Sequence, residues 1–233
     1  MKRLCIDVWS DIACPWCYVG KRRLEAALAE FPHSASTAVV WHAFELDPRA
    51  PRERDASVTH AERLAEKYGM SVAQAKERTA YLTKLAAAEG LVLDFEHIRS
   101  GNTFDAHRVV QFGASRGLGG AVKERFLRGY FTEGEPVGDP AALVRMAAEA
   151  GLPADEVRRV LDGDAYAAEI RRDEAEAAEL GIRGVPFFVL AQRYAVSGAQ
   201  PKELLLSALH QAWTELEEAE PDLAEDAEGA VAH

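Results

Sequence analysis

Residues 4–17 read LCIDVWSDIACPWC, and they decide the fold. The first six are short, apolar and partly β-branched, a pattern that predicts a buried strand. A polar turn follows, and then two cysteines that are separated by two residues. From Tyr18 to Phe31, apolar side chains recur at spacings of three and four, which predicts an amphipathic helix that Pro32 ends. The chain therefore begins with a strand, a loop, a CxxC motif and a helix.

A long helical block follows a second strand, which we predict over residues 38–46. From residue 59 to residue 172, almost all of the pattern is helical. Thr59 is followed three residues later by Glu62, the spacing of a capping box at a helix start. The block therefore predicts a bundle of several helices.

The β pattern returns near the C-terminus. Residues 186–190 and 194–197 predict a hairpin, and a last helix is predicted to follow them. The order is βαβ, a helical block, then ββα, which predicts one α/β domain split by a large all-α insertion. We assign residues 1–50 and 180–217 to the β-containing domain, 55–178 to the helical insertion, and 218–233 to an acidic, disordered tail.

Composition excludes several classes of protein. The formal net charge of −11 is a poor match for nucleic acid or an anionic membrane surface, so we predict neither partner. No apolar run approaches the roughly 18 to 20 residues that a membrane span needs. The N-terminus has no apolar region of the kind that a secretory signal carries, since Asp7 and Asp11 interrupt it. We therefore expect a cytoplasmic protein.

Two of the three cysteines form the motif Cys14-Pro15-Trp16-Cys17. Residues at i and i+3 share one face of a helix, so these thiols can form a disulfide with only local adjustment. Cys14 falls at the predicted helix start, where free N–H groups stabilise a thiolate. We predict that Cys14 attacks a disulfide and that the more buried Cys17 resolves the mixed disulfide.

Two other interpretations of the cysteines stay open at this point. A structural zinc site needs about four ligands, and Cys5 and His42 are the only plausible additions nearby. The pair could also be packed without any chemistry. Cys5 itself lies in the first strand and is interpreted as a buried, small apolar residue. We favour redox chemistry over a metal site because the sequence has no second CxxC or HxxxH pair. We favour it over plain packing because the motif stands where a strand meets a helix.

A resemblance to a known family rests on four motifs in order. The sequence resembles the DsbA-like superfamily, and more narrowly its FrnE-like branch, over nearly the whole chain. The motifs are residues 9–21 around the cysteines, Asn102-Thr103 with Ala106-His107-Arg108, residues 181–189 with Gly184-Val185-Pro186-Phe187, and Val196-Ser197-Gly198-Ala199-Gln200.

The resemblance implies a thioredoxin fold with an inserted helical domain. It implies that Cys14 attacks, that Cys17 resolves, and that a cis Val185–Pro186 peptide faces the pair and leaves backbone groups for an extended substrate. Substrate contacts are also expected from Pro15 and Trp16, although Trp16 could be a plain helix-surface residue. Asn102 and His107 are expected to line the cleft.

The expected partners are protein or small-molecule thiols and disulfides, with a homodimer plausible by family. We expect no tightly bound cofactor, although glutathione could serve as a co-substrate. The alternative function is that of the related glutathione-dependent transferases and 2-hydroxychromene-2-carboxylate isomerases. These enzymes typically have Ser where Cys14 stands, so the two cysteines favour redox exchange. Two features depart from the family: no cysteine follows Cys17, and Pro15-Trp16 replaces Pro-His, which predicts a less oxidising couple.

Overall fold

The computed structural model describes residues 2–219, which form one four-stranded sheet and nine α-helices. The strands are β1 (Leu4–Ser10), β2 (Thr37–Ala43), β3 (Phe187–Leu190) and β4 (Tyr194–Ser197). Their order across the sheet is β2-β1-β3-β4. β1 runs parallel to β2 and antiparallel to β3, and β3 and β4 form the predicted hairpin. This is the predicted thioredoxin-like α/β arrangement.

The helices follow the predicted order, although the helical block continues to Glu179 and does not end at residue 172. They are α1 (Pro15–Glu30), α2 (His60–Tyr68), α3 (Val72–Ala88), α4 (Phe104–Ser115), α5 (Gly119–Thr132), α6 (Pro140–Glu149), α7 (Ala154–Asp162), α8 (Ala167–Glu179) and α9 (Lys202–Ala219). At the start of α2, Thr59 accepts a hydrogen bond from the Glu62 N–H and the Glu62 carboxylate bonds back, which confirms the capping box. The seven helices α2–α8 separate β2 from β3.

The second strand is shorter than predicted, because it ends at Ala43 and not at residue 46. At the end of the predicted strand, two N–H groups donate to carboxylates from outside the sheet. The Ala43 N–H donates to Asp173 Oδ2 on α8, and the Leu46 N–H donates to Asp11 Oδ2, both at 2.8 Å. The chain therefore leaves the sheet toward the loop that precedes the cysteines.

Two apolar cores flank α1. Leu24 and Ala27 pack with β1, β3 and α9, whereas Tyr18 and Val19, next to Cys17, pack with the helical block. The first turn of α1 thus belongs to the core of the insertion as much as to the sheet. The boundaries between two domains stay a prediction, and residues 220–233 of the expected tail lie outside the described residues. No helix within residues 2–219 is long and apolar enough to cross a membrane.

Candidate active site

The loop between β1 and α1 places Cys14 at the N-cap of the helix. Asp11 organises this loop, since its backbone C=O accepts the Cys14 N–H and its Oδ1 accepts the Ala13 N–H, both at 3.3 Å. Pro15 occupies the first turn, where its missing N–H costs nothing. Cys14 therefore stands where unpaired N–H groups of a helix favour an anion.

Both thiols are free and almost completely buried: Cys14 is 4% exposed and Cys17 is 2% exposed. The Cys14 thiol donates to the Val185 C=O, with Sγ and O 3.4 Å apart. The Val185–Pro186 peptide bond is cis, as the resemblance implies. Within residues 2–219, the Val185 N–H has no hydrogen-bond partner. One backbone donor thus stays available beside the attacking sulfur.

Cys17 is held in its protonated form by its surroundings. Burial raises its pKa well above the usual range, and the neighbouring Cys14 raises it further. The charge of Lys123 acts in the opposite direction but does not cancel this effect. Since a thiolate is the reactive form, Cys17 is suited to wait until a mixed disulfide has formed.

A cleft of about 1600 Å³ opens beside the cysteines. Its lining includes Cys14, Pro15, Trp16 and Val185, together with residues of α2 and α3 of the helical block. Trp16 is 39% exposed. Cys17 and Pro186 are not among the lining residues. The structure thus brings Cys14, Pro15, Trp16 and Val185 together at a space large enough for a peptide-sized molecule.

Asn102 and His107 lie near the site, but neither side chain lines the cleft. The Asn102 amide donates to Glu45 Oε1 at 2.9 Å and accepts from the Phe104 N–H, so it stabilises the start of α4. His107 is buried, with Nε2 3.3 Å from Asp11 Oδ1. Both side chains therefore make contacts within the protein, and direct contact of either with a substrate stays a prediction.

A buried polar layer lies next to the loop that carries the cysteines, and His107 is its one member that the sequence predicted as a site residue. It consists of Ser10, Asp11, His107 and Lys123, all nearly inaccessible to solvent. Burial lowers the pKa of Lys123 to about 8, and nearby negative charges oppose this shift. A signal existed, because Lys123 precedes Phe126, Leu127 and Tyr130 by three, four and seven residues, the spacing of one apolar helix face.

The basic run Lys21-Arg22-Arg23 in α1 is paired with carboxylates. Lys21 is buried, and its Nζ donates to Glu25 at 2.5 Å and to Glu124 at 2.6 Å. Arg22 also donates to Glu124, at 2.7 Å. These ion pairs attach the active-site helix α1 to α5 of the helical block.

His42 does not join the cysteines in a metal site. Its Nε2 lies 2.9 Å from Asp7 Oδ1 and its Nδ1 lies 2.9 Å from Asp173 Oδ1, while its ring stacks on Trp9. Burial lowers the pKa of His42, but the two carboxylates outweigh this effect and raise it to about 9. Within residues 2–219, the one cluster of three potential metal ligands is His42, Asp173 and Glu176, and it contains no cysteine.

Comparison with known families agrees with this geometry. The model of the DSBA-like thioredoxin domain matches residues 5–210, which is most of the chain. The chain belongs to the DSBA-like thioredoxin family. It is similar to a probable DsbA oxidoreductase, SCO1869 from Streptomyces coelicolor, with 47% identity, 91% of each chain covered and a TM-score of 0.86.

Two more distant structures share the fold of this DSBA-like protein. A 2-hydroxychromene-2-carboxylate isomerase is 15% identical, with 93% of this chain and 99% of that chain covered and a TM-score of 0.67. The cytosolic disulfide reductase DsbM from Pseudomonas aeruginosa, solved with glutathione, is 20% identical, with 92% and 98% covered and a TM-score of 0.55. The fold is thus shared by oxidoreductases and an isomerase.

Proposed function

We propose that this protein is a thiol–disulfide oxidoreductase in which Cys14 is the nucleophile and Cys17 the resolving thiol. The observation that carries the proposal is the position of Cys14. Its sulfur lies at a helix N-cap, in the wall of the cleft and 3.4 Å from the Val185 C=O, whereas Cys17 lies behind it, outside the cleft. A substrate sulfur can therefore reach Cys14 first.

The proposed reaction has two exchange steps. The Cys14 thiolate attacks a substrate disulfide to form a mixed disulfide, and the Cys17 sulfur then attacks Cys14 and releases the substrate thiol. The Val185 N–H and C=O would pair with the backbone of an extended substrate on one side of the attacking sulfur. The substrates that we propose are disulfides and thiols of proteins or small molecules in the cytoplasm.

The reduction potential of the Cys14–Cys17 pair tests this proposal. The Cys5→Ala protein is equilibrated in glutathione buffers, and the remaining thiols are counted. We expect a two-electron transition, with Cys17→Ser accumulating a mixed disulfide on Cys14 and Cys14→Ser forming none. If no disulfide joins Cys14 and Cys17 in any buffer, the proposal fails and the alternative, a glutathione-dependent transferase or isomerase, takes its place.

We propose further that glutathione is a co-substrate. Support comes from the Val185 N–H, which has no partner within the described residues, and from the fold shared with DsbM, which was solved with glutathione. Isothermal titration with reduced and oxidised glutathione tests this part separately. We expect at least one form to bind, and we expect Trp16→Ala to weaken this binding. If neither form gives a heat of binding, this part of the proposal is contradicted.

A further inference from the structure

The cleft beside Cys14 has an excess of positive charge, although the protein as a whole is acidic. Six Arg or Lys side chains line the cleft, together with four Asp or Glu side chains. The formal net charge of the chain is −11, and it stays negative when residues 220–233 are left out. The charge of the cleft is therefore opposite to that of the rest of the protein, at the place where a substrate reaches the attacking sulfur.

Four of the six bases in the cleft are exposed and have no ion pair within residues 2–219: Arg49, Lys67, Arg78 and Arg183. The protein itself holds the other two, because Arg54 pairs with Asp47 and Arg63 donates to backbone C=O groups. Among the acids of the cleft, Asp11 is buried and accepts N–H groups. Only Glu66 and Glu77 are exposed without an ion pair in the same residues, so the unpaired bases outnumber the unpaired acids two to one.

Three aromatic side chains in the same cleft are exposed to solvent. Trp16 is 39%, Tyr68 57% and Tyr81 64% exposed, and no other Phe, Tyr or Trp of residues 2–219 is classed as exposed. The Lys67 Nζ lies 5.7 Å from the centre of the Tyr68 ring, so a base and an aromatic ring are presented together. Exposed aromatic rings gathered in one place are typical of a surface that binds a partner.

The size of the cleft and its backbone groups favour a segment of peptide over a small molecule. Its volume of about 1600 Å³ exceeds the roughly 300 to 1000 Å³ of common small-molecule sites. Beside Cys14, the Val185 N–H is available to pair with an extended chain. Arg183 comes two residues before Val185 and lines the same cleft. A peptide that pairs with Val185 therefore lies in a space with exposed bases.

We infer that the cleft selects disulfides that lie in acidic peptide segments, an inference that rests on the proposed function. Lys67, Arg78 and Arg183 attract the carboxylates of Asp or Glu residues that flank the half-cystine, since a positively charged cleft concentrates anionic ligands.

The acidic peptide enters the exchange at the Cys14 sulfur. A bond forms between Cys14 and the peptide sulfur, and the other sulfur of the disulfide leaves as a thiolate. Cys17 then bonds to Cys14 and releases the peptide as a thiolate. The two cysteines are oxidised, the disulfide is reduced, and their two protons pass through solvent to the released thiolates.

Three synthetic peptides test this selectivity. They are identical except that Glu, Gln or Lys residues flank a single cysteine, which is joined by a disulfide to 2-thiopyridine, a neutral leaving group. The rate at which the reduced Cys5→Ala protein releases thiopyridine is divided by the rate with dithiothreitol, which corrects for intrinsic reactivity. At low ionic strength we expect the Glu peptide to react about 10-fold faster than the Lys peptide, with the Gln peptide between them. Added salt should reduce this ratio.

Two double variants of the Cys5→Ala parent locate the selectivity. Lys67→Gln with Arg78→Gln removes two exposed, unpaired bases of the cleft, and we expect the Glu-to-Lys ratio to fall below about threefold. Lys76→Gln with Lys84→Gln is the matched control, because these exposed lysines of α3 lie outside the cleft lining and their loss changes the net charge equally. We expect the control to keep the ratio of the parent.

The outcomes separate the inference from the proposed function. Equal corrected rates for the Glu and Lys peptides in the parent overturn the inference alone. So does a ratio that survives in the cleft variant, or one that the control lowers as much as the cleft variant does. If the parent releases thiopyridine from all three peptides no faster than Cys14→Ser does, the proposed function itself fails.

Discussion

Replacing His42 by glutamine removes a cation that joins three elements of the fold. The imidazolium lies between Asp7 of β1 and Asp173 of α8, and it extends from β2. The pKa of His42 is raised from 6.5 to about 9. Since one pKa unit corresponds to about 1.4 kcal/mol, the protonated ring contributes about 3 kcal/mol to the free energy of unfolding.

The pH dependence of this contribution has a definite sign. The folded-state pKa lies above the unfolded value, so the stabilisation is fully present below pH 6.5 and is lost as the pH rises through about 9. His42→Gln is therefore expected to lower the free energy of unfolding by about 3 kcal/mol at about pH 6. The difference from the native protein should shrink by a similar amount at alkaline pH.

Urea unfolding followed by tryptophan fluorescence measures this difference across the pH range. The difference between native protein and variant is the useful quantity, because other groups that titrate, such as Lys123, contribute to both curves. His97→Gln is the matched control, since His97 also contacts a carboxylate, that of Asp94, but is 74% exposed and should contribute little. A difference of less than about 1 kcal/mol, or one that does not vary with pH, would refute the reasoning.

Three other substitutions have defined outcomes. A Cβ on Gly20 would lie 2.8 Å from Pro186 Cγ, so Gly20→Ala should lower the free energy of unfolding by about 1–3 kcal/mol and slow thiol exchange, as denaturation and Ellman kinetics would show. Glu124→Gln should cost about 2 kcal/mol in urea unfolding, because it weakens the attachment of α1 to α5. The exposed Glu25→Gln is its control and should cost less. Burial and a neighbouring carboxylate raise the pKa of Glu45 from 4.5 to about 7. The free energy of unfolding of the native protein should therefore fall as the pH rises from 4.5 to about 7. A melting temperature of Glu45→Gln with the same pH dependence as the native protein would contradict this last expectation.

The features that could be predicted from the sequence are local ones. A CxxC motif at a strand-to-helix junction depends on neighbouring residues only, and so do the capping box at Thr59 and the hairpin after Pro186. The placement of Cys14 at a helix N-cap followed from the same short stretch. For this reason, the order of elements and the nucleophile side of the site could be predicted from the amino-acid pattern alone.

The features that could not be predicted depend on contacts between distant residues. The second strand ends early because Asp173, 130 positions after Ala43, takes its last N–H group. The burial of Lys21 could not be predicted, because its partner Glu124 is 103 positions away. Lys123 could have been noticed on an apolar helix face, but nothing in the sequence showed that this face meets the cysteines.

The position of β3 has a consequence for how the chain is made. β1 pairs with β3, so the centre of the sheet cannot close until residues 187–190 have left the ribosome. At about 5 to 20 residues per second, translation takes roughly 10 to 30 s to proceed from Cys17 to that point. During this time the nascent chain carries its dithiol while the helices that later bury it are still being made and before the hairpin exists. The reduction potential of the surrounding medium then determines whether the newly folded protein is a dithiol or a disulfide.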